Sequence, residues 1–523
     1  MGFWDKSLRI CKYLCDYGQQ SMRQLAHQTG FSKSSVHRLR QALERRSGSP
    51  EAGLWETEAG RQWLTRLGVA TLYPFGLKRG VGVDTLSEFF VRLRLHHHLG
   101  CSPTAVRGVL RALEQTIVET AHAWEQEGTT TGAVRDIIGA VDETFLEHMM
   151  LVCMDLPSGS LLVEAVAANR TYAPWKAVVD ERLKALGAAV LYLVSDRAKA
   201  LIQLAEMGFE CLSMPDFFHC VHDIGKTYSL TIGRRLRDAQ QALAHAEARL
   251  MRRHEHASGG QDTWQDVLLV EARRAAVTQW TAVQPTYRLH LETLSLTLHP
   301  FNLDDATVQT STQVTHRLYA EVEAIEALAA RHAFPACHAA RTKVRKQLPA
   351  LAALVDFWWA GGEQDLEHAE LSTRWRAWAK ECLLPSVYWA HHGAHTRCAR
   401  RKAKLRQAFE ASQTAFEHHV LTQQLPCPAL EEWKTWAKQR VRAFQRTSSA
   451  VEGRNGYLSQ MQHNHRGLPP QRPKVWTALH NFDGRAADGT TPAARFFGRG
   501  FPDLFATVLP HIAALPRPRQ RRG

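Results

Sequence analysis

Residues 137–196 contain IIGAVDET (137–144), MMLVCMDL (149–156), SLLVEAVA (160–167) and AAVLYLVSD (188–196). The first three runs are short, apolar or alternating, with the turn PSG at 157–159 between the second and third. They predict an antiparallel meander. TYAPWKAVVDERLKALG (171–187) then shows helical periodicity and ends on a glycine stop. AAVLYLVSD is a continuous apolar run, the pattern of a strand buried beside a parallel neighbour. In a sheet built strand–strand–strand–helix–strand, the first and fourth strands lie side by side. Asp142 sits within the first and Asp196 at the carboxyl end of the fourth. A carboxylate on an apolar strand is costly unless paired, and a divalent cation is one suitable partner. Strand carboxyl ends are also where open sheets collect ligand-binding groups.

Two aspartates lack a third ligand, and SSAVEGRNGYLSQ (448–460) supplies a candidate. On a helix Ser448, Glu452, Asn455 and Ser459 share one face. Gly453 and Gly456 leave room for another backbone or for DNA to approach. Packed beside the first and fourth strands, this helix aims Glu452 at Asp142 and Asp196. Three carboxylates can hold two Mg²⁺ ions about 4 Å apart, the geometry of two-metal phosphoryl transfer. The arginines nearby (Arg440, Arg442, Arg446, Arg454) suit phosphates, whereas the acid suits the metal. Taken alone, Glu452 reads as a salt-bridged residue of a solvated helix; the two aspartates reverse that reading.

The rest of the 523-residue chain fits a nucleic-acid partner: Lys and Arg number 65 against 51 Asp and Glu, a net charge of +14. In SMRQLAHQTGFSKSSVHRLRQAL (21–43), Ala26, Gly30 and Val36 occupy the small, turn and buried positions of a helix-turn-helix. Ser32 would cap a second helix presenting Lys33, Ser34, His37, Arg38 and Arg40 to a DNA groove. GCSPTAVRGVLRAL (100–113) reads either as a second DNA-reading helix or as a packing helix. Residues 231–440 are rich in tryptophan and helical patterning, and form a large all-α insertion whose tryptophans mostly belong to its core. No apolar run reaches the roughly 20 residues of a membrane span. The start lacks a secretory pattern, and ten cysteines without a CxxC pair suit a reducing, bacterial-type cytoplasm. HCVH (219–222) is too poor a set for zinc, and no GxxxxGK[ST], HExxH or GxSxG motif is present.

With these blocks in order, the chain resembles a DDE-type transposase of a bacterial insertion sequence. DET (142–144), VSDRAKAL (194–201) and SSAVEGRNGYLS (448–459) resemble the contexts of that family's first Asp, second Asp and final Glu. DFFH (216–219) resembles the [C/D]xxH signature that follows the second Asp, and the long interval 197–451 resembles an insertion-bearing member. LSLTLHPF (294–301) and TPAARFFG (491–498) also resemble segments of uncharacterised transposase-like chains. The resemblance implies a ribonuclease-H-like α/β core with a mixed five-stranded sheet. It implies two Mg²⁺ ions, replaceable by Mn²⁺, on Asp142, Asp196 and Glu452, with His219 near the scissile phosphate or orienting an acid. Arg170, Arg197, Lys199, Arg454 and Asn455 join the candidate DNA contacts. The implied partners are double-stranded terminal inverted repeats and target DNA, bound by a homodimer or larger oligomer. The corresponding segments are a helix-turn-helix (1–45), a helical linker or second DNA-binding region (46–135), the first core part (136–230), the insertion (231–440), the final core helices (441–500) and a basic tail (501–523). The competing reading is a transposase-derived protein that binds DNA without cutting it.

Overall fold

The computed structural model describes residues 3–18, 20–47, 55, 57–129, 132, 134–256, 263–335, 338–465, 471–512 and 515–516. Five strands form one mixed sheet: β1 (Arg135–Phe145), β2 (Met149–Asp155), β3 (Ser160–Ala167), β4 (Ala188–Ser195) and β5 (Leu212–Pro215). Their order is β3-β2-β1-β4-β5. β1 is antiparallel to β2 and β2 to β3, whereas β4 is parallel to β1 and β5 to β4. The expected adjacency of the first and fourth strands is therefore present. The β1–β4 register ends at Ala140 opposite Val194, and Asp142 and Asp196 each stand two residues beyond that pair. Gly159 closes the β2–β3 turn at φ +73°, which an L side chain would resist.

Alternation along the strands sends side chains to two faces. Ile137, Val141, Leu151 and Val163 pack on Trp175, Val179 and Leu183 of the helix Tyr172–Leu186. Ala140, Val152, Met154 and Leu161 face a second core. There Leu64, Phe90, Leu113 and Trp124, from helices between 58 and 129, interlock with Val451, Leu458, Trp476 and Phe482. The helices between 58 and 129, within the segment expected to be a helical linker or second DNA-binding region, thus form a layer of this core. Sequence reveals the apolar stripe of such helices but not the remote helices that cover it. Similarly, Leu504, Val508 and Ile512 are buried, so the fold extends into the expected tail; residues 517–523 lie outside the described ones.

Ile138, Tyr192, Val194 and Met214 join the sheet to a third core, that of the helical block. Its long helices are Phe217–His256, Trp264–Thr297, Ser311–Arg331 and His338–His368, and it closes with Cys427–Arg442. The block begins at Phe217 rather than 231, because Asp216 already accepts the Phe218 N–H at 2.7 Å at the helix start. Trp358, Trp378 and Trp389 are buried in this core, whereas Trp264 is 53% exposed. At the outer edge of β3, the Asn481 amide donates to the Leu161 carbonyl at 2.9 Å and accepts the Leu161 N–H at 2.8 Å. That side chain occupies the place of a neighbouring strand.

Candidate functional site

The helix Ser449–His465 is held at its start by contacts from three directions. The Tyr192 hydroxyl on β4 accepts the Gln445 N–H at 3.1 Å and donates to the Ala443 carbonyl at 3.2 Å. The Phe217 N–H donates to the Arg446 carbonyl at 3.0 Å, and the Arg446 guanidinium donates to the carbonyls of Leu298 (2.6 Å) and Ser295 (3.2 Å). The Ser448 hydroxyl donates to the Asp216 carboxylate. LSLTLHPF thereby acquires a structural role: its carbonyls secure the segment that leads into Glu452. Further along, Val451, Leu458 and Met461 are buried in the core. Arg454 pairs through two nitrogens with Glu164 of β3, at 2.8 Å for the Nη2–Oε2 contact.

So anchored, the helix turns its polar face to the strand ends. The Asn455 amide donates to Asp142 Oδ2 at 2.8 Å, and the Glu143 N–H donates to Asp142 Oδ1 at 2.9 Å. Glu452 Oε1 lies 3.5 Å from His219 Nε2, while His219 Nδ1 lies 2.8 Å from Asp216 Oδ2. Burial, followed by the charges of Glu143 and Asp196, pushes the Asp142 carboxyl up to about 6, although the Glu143 N–H and His219 oppose this. His219 is pushed up to about 9, chiefly by its bond to Asp216 and also by the charges of Asp216, Glu452 and Asp142. For Asp216, burial acts upward but hydrogen bonds from His219 and Ser448 win, leaving it below the usual carboxylate range. Asp142, Asp196, Glu452 and His219 thus share one electrostatic neighbourhood, although they come from four separate parts of the chain.

The donor set determines which cation fits. Among the described residues, the ligand atoms of Asp216, His219 and Glu452 all lie within 4.8 Å of one another. Asp216 is only 1% exposed and its oxygens already accept from Phe218, His219 and Ser448. It therefore orients His219 rather than ligating. Asp142, Asp196 and Glu452 offer carboxylate oxygens, the chemistry of Mg²⁺ or Mn²⁺ rather than zinc. The upward push on Asp142 comes chiefly from burial, to which the charges of Glu143 and Asp196 add, and a bound cation would favour its charged form.

Other expected site residues fall differently. Arg454 is buried against Glu164, with side chains 6% and 0% exposed, so it is corrected from a DNA contact to a structural ion pair. Asn455 spends its amide N–H on Asp142. Among the described residues, nothing beyond the helix's own adjoining turns comes within 4 Å of a Cβ built at Gly453 or Gly456. Arg170 is exposed beside the site and pairs with Glu143 at 3.1 Å. Arg197 adopts φ +62° and donates to the Ser213 carbonyl at 3.3 Å, while Lys199 is exposed at the start of the helix Lys199–Gln203. Sequence reading assigned no role to Asp216, although it opens DFFH and stands one helical turn from His219. It also missed Lys343, which pairs with Asp223 at 2.9 Å and feels the charge of Asp196. No local signal marks that lysine.

A separate small core, formed by Ile10, Leu25, Val36, Leu39 and Leu43, organises the helices Phe3–Tyr17, Met22–Thr29 and Lys33–Ser47. Ser21 and Gln24 make a reciprocal cap on the second, and Gly30 ends it at φ +71°. The Ser35 N–H donates to the Ser32 hydroxyl at 3.2 Å, which caps the third helix. Lys33, Ser34, His37 and Arg38 are exposed on it, whereas Arg40 is half-buried and pairs with Glu44 at 3.0 Å. Residues 5–47 match the model of the IclR helix-turn-helix domain. The chain carries a helix-turn-helix DNA-binding domain. Residues 379–523 match the model of DUF6399, a family of unknown function; this span takes in Ser448, Glu452 and TPAARFFG but begins after both aspartates and His219. Neither match is to a transposase family, and no curated protein matches the chain. Among the described residues no helix is long and apolar enough to cross a membrane.

Proposed function

We propose that this chain is a DNA transposase, which cuts the ends of its element and joins them to target DNA using Mg²⁺, or Mn²⁺ in its place. What supports this reading is that Asp142 and Asp196 stand beyond adjacent parallel strands and that the charges of Asp142 and Glu452 both reach His219, in a chain that also bears a DNA-binding domain. The sheet order β3-β2-β1-β4-β5, with the two aspartates beyond adjacent parallel strands, supports a ribonuclease-H-like core. Bound divalent ions would activate the attacking water or 3′-hydroxyl and stabilise the departing 3′ oxygen. Asp142, Asp196 and Glu452 would hold them. Asn455 fixes the Asp142 carboxylate, and the Arg454–Glu164 pair fixes the helix that delivers Glu452. His219, kept protonated by Asp216, directs Nε2–H toward a non-bridging oxygen of the scissile phosphate. Lys33, Ser34, His37 and Arg38 contact the terminal repeat, and Arg170 and Lys199 contact phosphates near the acids. Joining two ends calls for at least a dimer on DNA.

The test is cleavage of labelled DNA carrying the gene's flanking inverted repeats, with Mg²⁺ or Mn²⁺, by wild type and Glu452→Gln. The expected result is metal-dependent 3′-hydroxyl ends that vanish in the variant while binding persists. Sequence-specific binding without cutting by wild type in either metal would overturn the reading and leave a DNA-binding protein.

A further inference from the structure

We propose that the solvent face of the first part of the helix Phe217–His256, from Phe218 to Arg237, is the track along which a single DNA strand leaves the acid site, with Phe218 and His222 stacking on an unpaired base. This rests on the nuclease reading above and assigns the path of its substrate. The helix starts at the site itself, since Asp216 accepts the Phe218 N–H and His219 faces Glu452. Phe218, beside His219, is 45% exposed, although its neighbour Phe217 is buried at 3%. Its ring lies 5.9 Å from that of His222 at an interplanar angle of 23°, a stacked pair open to solvent. Exposed aromatic rings next to a phosphate-handling site are the platform on which unpaired bases stack irrespective of sequence.

Beyond this pair, helical spacing keeps Lys226, Ser229, Gly233 and Arg237 on the same face. Lys226, Ser229 and Arg237 are exposed and Gly233 is half-buried. Over residues 217–237 the face carries no carboxylate: Asp223, the acid of that segment, lies off it and pairs with Lys343, and the next acid on the stripe, Glu247, pairs with Arg274. Among the described residues, neither Lys226 nor Arg237 makes an ion pair. From Phe218 to Arg237 the helix rises roughly 28 Å, which is about eight nucleotides of a strand advancing 3.4 Å each. An aromatic pair at the site followed by cations free of acids suits a strand whose first base is unstacked and whose phosphates continue along the helix. A protein or lipid partner would call for a continuous apolar surface, and of these six positions only Phe218 is apolar.

The test uses the full chain in EDTA, so that neither metal nor chemistry is required. The probes are a fluorescein-labelled oligothymidylate of about 20 nucleotides and a duplex of equal length, followed by anisotropy. Phe218→Ala is expected to weaken oligothymidylate binding about tenfold, and Phe218→Trp to restore it to within about twofold. Lys226→Ala combined with Arg237→Ala is expected to weaken it about tenfold and to lower the salt slope by about 1.4. Duplex binding through the helix-turn-helix should stay unchanged in all three. Wild-type oligothymidylate affinity in both Phe218→Ala and the double variant would overturn the track. So would altered sedimentation with unaltered binding, which would make this face a contact between copies of the chain. Should wild type fail to cut repeat ends while these variants lose the single strand, the nuclease reading falls and the track stands. Should it cut while they bind normally, only the track falls.

Discussion

Glu452 and Arg454 are two positions apart on one helix and have opposite surroundings. Arg454 is sealed against the carboxylate of Glu164, which also accepts the Thr477 hydroxyl, and nothing in that cluster is left over for a ligand. Glu452 is 31% exposed, and its nearest cationic partner is His219 at 3.5 Å. The same contrast separates Glu164 on β3 from Asp142 on β1: one has a guanidinium, the other only an amide and a backbone N–H while its carboxyl is pushed up to about 6. Acids completed within the chain serve stability, and acids left incomplete are available to an outside cation.

The contrast breaks most visibly at its two poles. Glu452→Gln should lower metal-dependent cutting on the order of a thousandfold, with stability in urea denaturation changed by less than about 0.5 kcal/mol. Arg454→Ala should do the reverse at the level of folding, costing about 3–5 kcal/mol in urea denaturation because Glu164 is left buried and unpaired. Equal stability losses in the two variants would erase the distinction.

Asp142→Asn sharpens the comparison, because removing a charge that burial disfavours should help the metal-free protein. Its carboxyl is raised above the unfolded value of 3.8, so its ionisation works against folding above that pH. In EDTA at pH 7 the variant should be about 1 kcal/mol more stable, after allowing for one lost hydrogen bond, and it should not cut. The smallest effect concerns His219. Its folded value of about 9 exceeds the unfolded 6.5, so its contribution is complete below pH 6.5 and is lost as pH rises through 9. Its side chain is 37% exposed, and with solvent screening the loss should be about 1 kcal/mol. Chemical denaturation of the metal-free protein across that window should show it, and Asp216→Asn should flatten the slope.

What could be read in the sequence was local. The apolar runs at 137–141 and 188–194 locate β1 and β4, and the spacing of Ser448, Glu452 and Asn455 shows that they share a face, because helical geometry is fixed within a few turns. The partners of that helix were not readable. Arg454 reads as one more arginine of a basic stretch until β3 folds against it, 290 residues away in the chain. Helices between 58 and 129 look like connecting structure until Trp124 meets Phe482 and Phe501. Asp216 was in view within DFFH, but only tertiary packing brings Ser448 to it. Whether the sheet is ribonuclease-H-like in function depends on chemistry at its end rather than on strand patterns.

The amide of Asn481 on the rim of β3 bears on how this protein could be divided for laboratory work. A chain cut short before the helix Arg472–Asp483 would leave the Leu161 N–H and carbonyl without that partner and offer an open strand to other molecules. Such a fragment should precipitate where the full chain stays in solution. The helix Arg472–Asp483, inside the part matched by DUF6399, therefore closes the free edge of β3, and expressing 379–523 by itself would separate it from the strand it covers.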